Sequence, residues 1–110
     1  GLRYGLDLLR AGGLQTRVIR LIGGGSKSPV WRQIVADIMD APVVCTEQPE
    51  AAALGAAIQA AWCAGQDPQG LAPLCERCVR LDETSRTQPI PANVSAYHGA
   101  YQRYRQHIPA

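Results

Sequence analysis

The sequence predicts a small α/β layer in which helices lie over the faces of a parallel sheet, and three observations point there. Apolar residues at helical spacing alternate with short β-branched runs in the order helix, strand, helix, strand, helix. Gly and Pro bound those runs, as they bound buried strands. The third observation is the side chains on offer: of 110 residues 46% are hydrophobic, yet sixteen are Ala, 25 are Leu, Ile, Val or Met, and Phe is absent. A core made from these is shallow and closely packed.

The same arithmetic excludes a disordered or collagen-like chain and leaves room for one domain, too little for both walls of an enzyme cleft. A net charge of +2, with Lys27 the single lysine, speaks against a nucleic-acid partner, whose binders cluster Lys and Arg on one face. No run approaches the roughly 18 apolar residues of a membrane span, and residues 1–20 lack the basic-then-apolar order of a signal peptide. No membrane partner and a cytoplasmic location are therefore expected.

Along the chain, Leu2, Leu6 and Leu9 share a helical face with Leu8 beside it, and Gly12-Gly13 ends that helix. A chain that starts inside a helical pattern, without Met, reads as cut from a longer one. Residues 17–22 form a β-branched strand running into Gly23-Gly24-Gly25. Ser28 offers an N-cap hydroxyl, Pro29 suits the first helical position, and Trp31, Ile34, Val35 and Ile38 recur at i, i+3, i+4, i+7, so a helix spans Pro29–Met39. Residues 42–45 make a second strand. Pro49-Glu50 opens a third helix whose face of Ala53, Leu54, Ala57, Ile58, Ala61 and Trp62 reaches Gly65.

From 66 to 92 prolines recur without apolar periodicity, which predicts an irregular surface segment with one helical turn near 71–75. Asn93 is read as the cap of a last helix over 93–108, with Val94, Tyr97, Tyr101, Tyr104 and Ile108 as its stripe. That stripe either docks on the domain or forms an interface between copies. His98 and His107 read as solvated. Among the four cysteines, Cys75-x-x-Cys78 is a lone pair, with Cys45 and Cys63 far apart and no His between, so reduced thiols and no metal site are expected.

The unit from Leu21 to Pro29 carries the chemistry. Glycines without Cβ let a ring or phosphate lie against the backbone, and the following helix N-terminus adds N–H donors and partial positive charge. The bland alternative is a tight turn that needs positive φ, although Ser26, Lys27 and Ser28 favour a ligand. A Rossmann-type dinucleotide reading nearly fits Gly23-x-Gly25-x-x-Ser28, with Glu47 placed as the ribose acid, but departs at its third position because Ser28-Pro29 starts the helix late. A Walker loop fails, since Lys27 is misplaced for it. A stand-alone nucleotide-binding or scaffold module is the further alternative.

Taken together, Leu21-Ile-Gly-Gly-Gly-Ser-Lys-Ser-Pro-Val-Trp-Arg-Gln-Ile-Val-Ala-Asp37, then Pro42-Val-Val, then Glu50-Ala-Ala-Ala-Leu-Gly-Ala-Ala57, resemble the C-terminal part of the FGGY carbohydrate kinases. The likeness runs over nearly the whole chain. It implies a fragment of an actin-like, ribonuclease-H-like ATPase domain, with the N-terminal sugar-binding and catalytic domain absent. It also implies ATP with Mg, no Mg ligands being expected in these residues, and D-xylulose or a related sugar bound through the missing domain. The parent reaction would give ADP and xylulose 5-phosphate, and a homodimer of the parent stays open.

Carried over by the resemblance, Gly23, Gly24, Gly25 and Ser26 would line adenine and ribose through the backbone, while Lys27 and Ser28 edge the base. A related glycerol kinase has Asn near the adenine where this chain places Ser28. The third helix would pack beneath the nucleotide, Gly55 allowing two backbones to approach. Trp31 reads as core or domain edge, Gln33 as a surface residue, and Glu47 and Glu50 as a loop acid and a first-turn acid. None of Asp7, Asp37, Asp40, Asp67 or Asp82 matches the family's catalytic motif, so no catalytic residue is expected and the fragment alone would be inactive.

Overall fold

A computed structural model describes residues 1–65 and 69–109. In chain order they form α1 (Leu2–Ala11), β1 (Ile19–Leu21), a 3-10 turn (Gly24–Lys27), α2 (Pro29–Met39), β2 (Val43–Thr46), α3 (Ala51–Cys63), α4 (Leu71–Cys78), β3 (Leu81–Thr87) and α5 (Pro91–Gln106). The expected α/β alternation holds over the first half. β1 and β2 run parallel, with Ile19 beside Val43 and Leu21 beside Cys45.

β2 is the central strand, because β3 pairs with its other edge in the antiparallel sense. A strand flanked on both sides and covered by a helix reads as an unbroken apolar run, and Val43 and Val44 are fully buried. Val35, Ala36 and Met39 of α2 pack on Val43, with Leu6, Ile19 and Leu21 closing around them. Val35, Met39 and Val43, the larger buried side chains of this cluster, contribute roughly 1.5–3 kcal/mol each by leaving water, and the Ala36 methyl less.

α2 has the bounds its sequence predicts, and for the expected reason: Ser28 Oγ accepts from the Trp31 amide at 3.2 Å and Pro29 fills the first turn. Its far end is closed from outside. Arg3 donates to the Ile38 carbonyl at 2.5 Å and Arg10 to the Met39 carbonyl at 2.9 Å, two cations at the end where the helix carries partial negative charge. Arg3 also lies 4.7 Å over the Tyr101 ring, tying α1 to α5 as well.

The segment expected to be irregular holds α4 and β3; residues 66–68 of it lie outside the described residues. β3 has one apolar side chain, Leu81, and escapes a search for alternating hydrophobics. Its one fully inward residue is Ser85, 5% exposed, whose hydroxyl accepts from the Cys45 amide at 2.8 Å where the register with β2 shifts. A hydroxyl there replaces the ladder carbonyl that the irregularity removes.

Several local expectations also change. The first strand is three residues long, and the last helix begins at Pro91, with Ile90 at the cap position. Asn93 lies inside that helix and donates to Asp37 Oδ2 at 2.8 Å. Glu50 occupies the cap position of α3 and makes no side-chain cap bond. Gly55 is exposed, and a Cβ built on it meets nothing within 4 Å, so no close backbone approach calls for it among the described residues.

Candidate functional site

The turn between β1 and α2 is built from three glycines that are glycine for three different reasons. Gly23 has φ +82°, a left-handed conformation that L side chains rarely adopt. Its carbonyl then accepts from the Ser26 amide at 3.1 Å and the Ser26 hydroxyl at 2.7 Å, which winds the chain into the 3-10 turn. Gly25 is constrained by a neighbour: a Cβ there would lie 2.9 Å from Cδ1 and 3.0 Å from Nε1 of Trp31. Gly24 has neither a left-handed φ nor, among the described residues, any atom within 4 Å of a built Cβ, so no described neighbour explains it.

Ser26 is the pin of the turn. It is 7% exposed, and its carbonyl accepts from Arg32 Nη1 at 2.8 Å and from the buried Cys45 thiol at 3.5 Å. The helix after the turn and the strand beneath it therefore grip the same oxygen. The expected site residues thus fall into two sets: Gly23, Gly24, Gly25 and Lys27 on the surface, Ser28 at its edge with its hydroxyl engaged in the cap, and Ser26 underneath. The exposed set, with Lys27 and the α2 N-terminus, presents a weakly positive, side-chain-poor surface suited to a flat group or an anion.

Asp37, 1% exposed, is a buried carboxylate with no expected role outside its own helix. Oδ1 accepts from the Ile90 amide and from Gln33 Nε2, both at 2.8 Å, and Oδ2 from Asn93. Gln33, expected to be an ordinary surface residue, also donates to the Gln88 carbonyl at 3.0 Å. Burial works to raise the carboxyl's pKa, yet the Ile90, Asn93 and Gln33 bonds together hold it below its ordinary 3.8. Every partner is structural, so this carboxylate clamps the start of α5 onto α2. The spacing of the sequence carries no sign of it, since its partners lie up to 56 residues away.

Trp31 is 45% exposed and belongs to both the turn and an apolar groove of about 530 Å³. That groove runs between α1, α2 and α5, with Ile34, Tyr97, Tyr101 and Tyr104 along it. Of the tyrosine stripe, Tyr101 is buried and docks α5 on the domain, while Tyr104 is 45% exposed. The two histidines are exposed. All four cysteines are free thiols, Cys45 alone being buried. Among the described residues, no three His, Cys, Asp or Glu side chains converge to hold a metal ion, and no helix is long and apolar enough to cross a membrane.

Comparison with known proteins places this geometry. Residues 1–64 match the model of the FGGY family of carbohydrate kinases, C-terminal domain. The chain is 53% identical over 107 residues to a xylulose kinase of Haemophilus influenzae, covering 97% of this chain and 21% of that protein. It is 32% identical over 104 residues to a ribulokinase of Mycolicibacterium smegmatis, covering 94% and 18%. Among solved structures, ligand-bound xylulose kinase and gluconate kinase, both of Lactobacillus acidophilus, each superpose with a TM-score of 0.69 at 25% identity, over 81% of this chain and 17% of theirs. The chain thus spans about a fifth of the length of the relatives it matches. The Rossmann-type alternative gives way: α2 starts only after a full 3-10 turn, β3 runs antiparallel, and these relatives are sugar kinases. The chain belongs to the FGGY family of carbohydrate kinases and carries part of its C-terminal, actin-like ATPase domain.

Proposed function

We propose that these residues form the adenosine-binding part of an ATP-dependent pentulose kinase resembling xylulokinase, which converts ATP and D-xylulose to ADP and xylulose 5-phosphate. The observation that carries the reading is Gly24. It is exposed, free of backbone strain and, among the described residues, free of any neighbour that would exclude a side chain, which supports a group outside these residues lying against it.

In this reading Gly23 sets the turn, the bare backbone of Gly24 lies under adenine and ribose with Gly25 lining them from beside the Trp31 indole, and Lys27 and Ser28 border the base. Ser26 supports that surface from beneath. The Ser28 hydroxyl is committed to the Trp31 amide, so selectivity for the base rests on the shape of the backbone more than on this side chain. Among the described residues no three His, Cys, Asp or Glu side chains come together, and the reading assigns no Mg ligand to them. In-line phosphoryl transfer, the base for the sugar hydroxyl and the sugar pocket lie outside these 110 residues, and the piece by itself turns over nothing.

The test is Gly24→Val in the full-length kinase. The expected result is a KM for ATP raised about tenfold or more, roughly 1.4 kcal/mol, with kcat and the KM for D-xylulose nearly unchanged. An unaltered ATP dependence would sink the adenosine assignment. ATP consumption that does not need the sugar would instead favour a stand-alone nucleotide-binding module.

A further inference from the structure

Gly25 and Gly24 are neighbours on the same exposed turn, but their surroundings differ. Over Gly25 lies the indole of Trp31, with Cδ1 and Nε1 where a Cβ would need to be. The backbone that carries the ring is held: Trp31 sits in the first turn of α2 with its amide bonded to the Ser28 hydroxyl, and the adjacent Arg32 is fastened to the Ser26 carbonyl. From that backbone two side-chain torsions lay the indole on Gly25, and a Cβ at residue 25 would force at least one of them to change.

We infer that Trp31 is a positioning residue for the nucleotide surface: its indole, not the ligand, demands glycine at 25, and its packing on Gly25 holds the turn so that Gly24 presents a flat backbone. The inference deepens the adenosine reading and rests on it. The middle of the turn is secured by different means at adjacent residues. Hydrogen bonds from Arg32 and Cys45 hold the Ser26 carbonyl, and the ring packs on Gly25. Without the ring, residue 25 gains space for a side chain and the turn loses one of its restraints.

A double-mutant cycle in the full-length kinase tests this, read by the Kd for ADP from calorimetry, the KM for ATP, kcat, and the melting temperature without nucleotide. Gly25→Ala alone is expected to weaken ADP about tenfold and to lower the melting temperature. Trp31→Ala is expected to weaken ADP about threefold to tenfold with kcat and the sugar KM within about twofold, and Trp31→Phe to recover most of that loss by restoring a ring. In the Trp31→Ala background, adding Gly25→Ala is expected to cost less than about twofold in ADP affinity and nothing in melting temperature.

An equal Gly25→Ala penalty in both backgrounds overturns the inference, and so does a Gly25→Ala chain that fails to fold in both. Failure to fold with Trp31 present and recovery without it supports it. Gly24→Ala in the same two backgrounds keeps the underlying reading separate. If it leaves ADP binding untouched in both, the adenosine assignment fails while the melting data still report on Gly25 and Trp31.

Discussion

α2 and α3 are apolar helices of similar length, 11 and 13 residues, and the more apolar one is the more exposed. α2 buries Val35, Ala36, Asp37 and Met39, whereas α3, with seven alanines, buries Ile58 alone and leaves Trp62 42% exposed. Apolarity did not decide the outcome; neighbours did. α2 has the sheet below it, α5 alongside and arginines from α1 at its end, while the described partner of α3 is chiefly the short α4. Alanine compounds the difference, since one methyl group contributes only about 0.8 kcal/mol even when buried.

The sharpest way to break the contrast is to remove the polar bond that ties α2 to α5. Asp37→Ala leaves the Ile90 amide and the Gln33 and Asn93 side chains without their acceptor, and is expected to cost about 3 kcal/mol in chemical denaturation. The effect depends on pH. Because the folded carboxyl titrates below its ordinary 3.8, its contribution is present above that value and disappears as the pH falls through the lowered one. The stability difference between the parent and Asp37→Asn should therefore be flat from pH 7 to about 5 and shrink below about 4. A difference that grew on acidification would contradict the assigned bonds.

A smaller effect is expected at the other end of α2. Ser28→Ala removes the cap and should cost about 1 kcal/mol by thermal or chemical melting, and a change near zero would show that the glycine turn holds the helix start without it. The smallest effect belongs to α3: Ala60→Ser is expected to stay within about 0.5 kcal/mol in the full-length kinase. A larger loss there would mean that this face of α3 is covered in the whole protein, and the contrast between the helices would narrow.

Legibility in the sequence follows the range of the interactions. The start of α2 was readable because Ser28, Pro29 and the Trp31 amide lie within four residues of each other. The glycine turn was readable as a turn for the same reason, although the sequence could not separate the three glycines: only space distinguishes a left-handed φ at Gly23 from a ring over Gly25. β3 was not readable, since its inward residue is a serine chosen to meet an amide 40 residues earlier. Asn93 misled because a good cap residue is also a good amide donor, and the carboxylate it serves lies three helices earlier along the chain. Asp37 itself reads as an ordinary helical acid until the fold brings three donors to it.

Mechanically, α2 is a rod about 16 Å long, fixed at both ends. Ser28, Trp31 and Arg32 fasten its head to the glycine turn, while Gln33 and Asp37 fasten its shaft to α5 and the α1 arginines its tail. The glycine turn, α5 and the α1 arginines are thus all referred to one rigid element, and their relative placement is set by the length and straightness of α2 rather than by contacts among themselves.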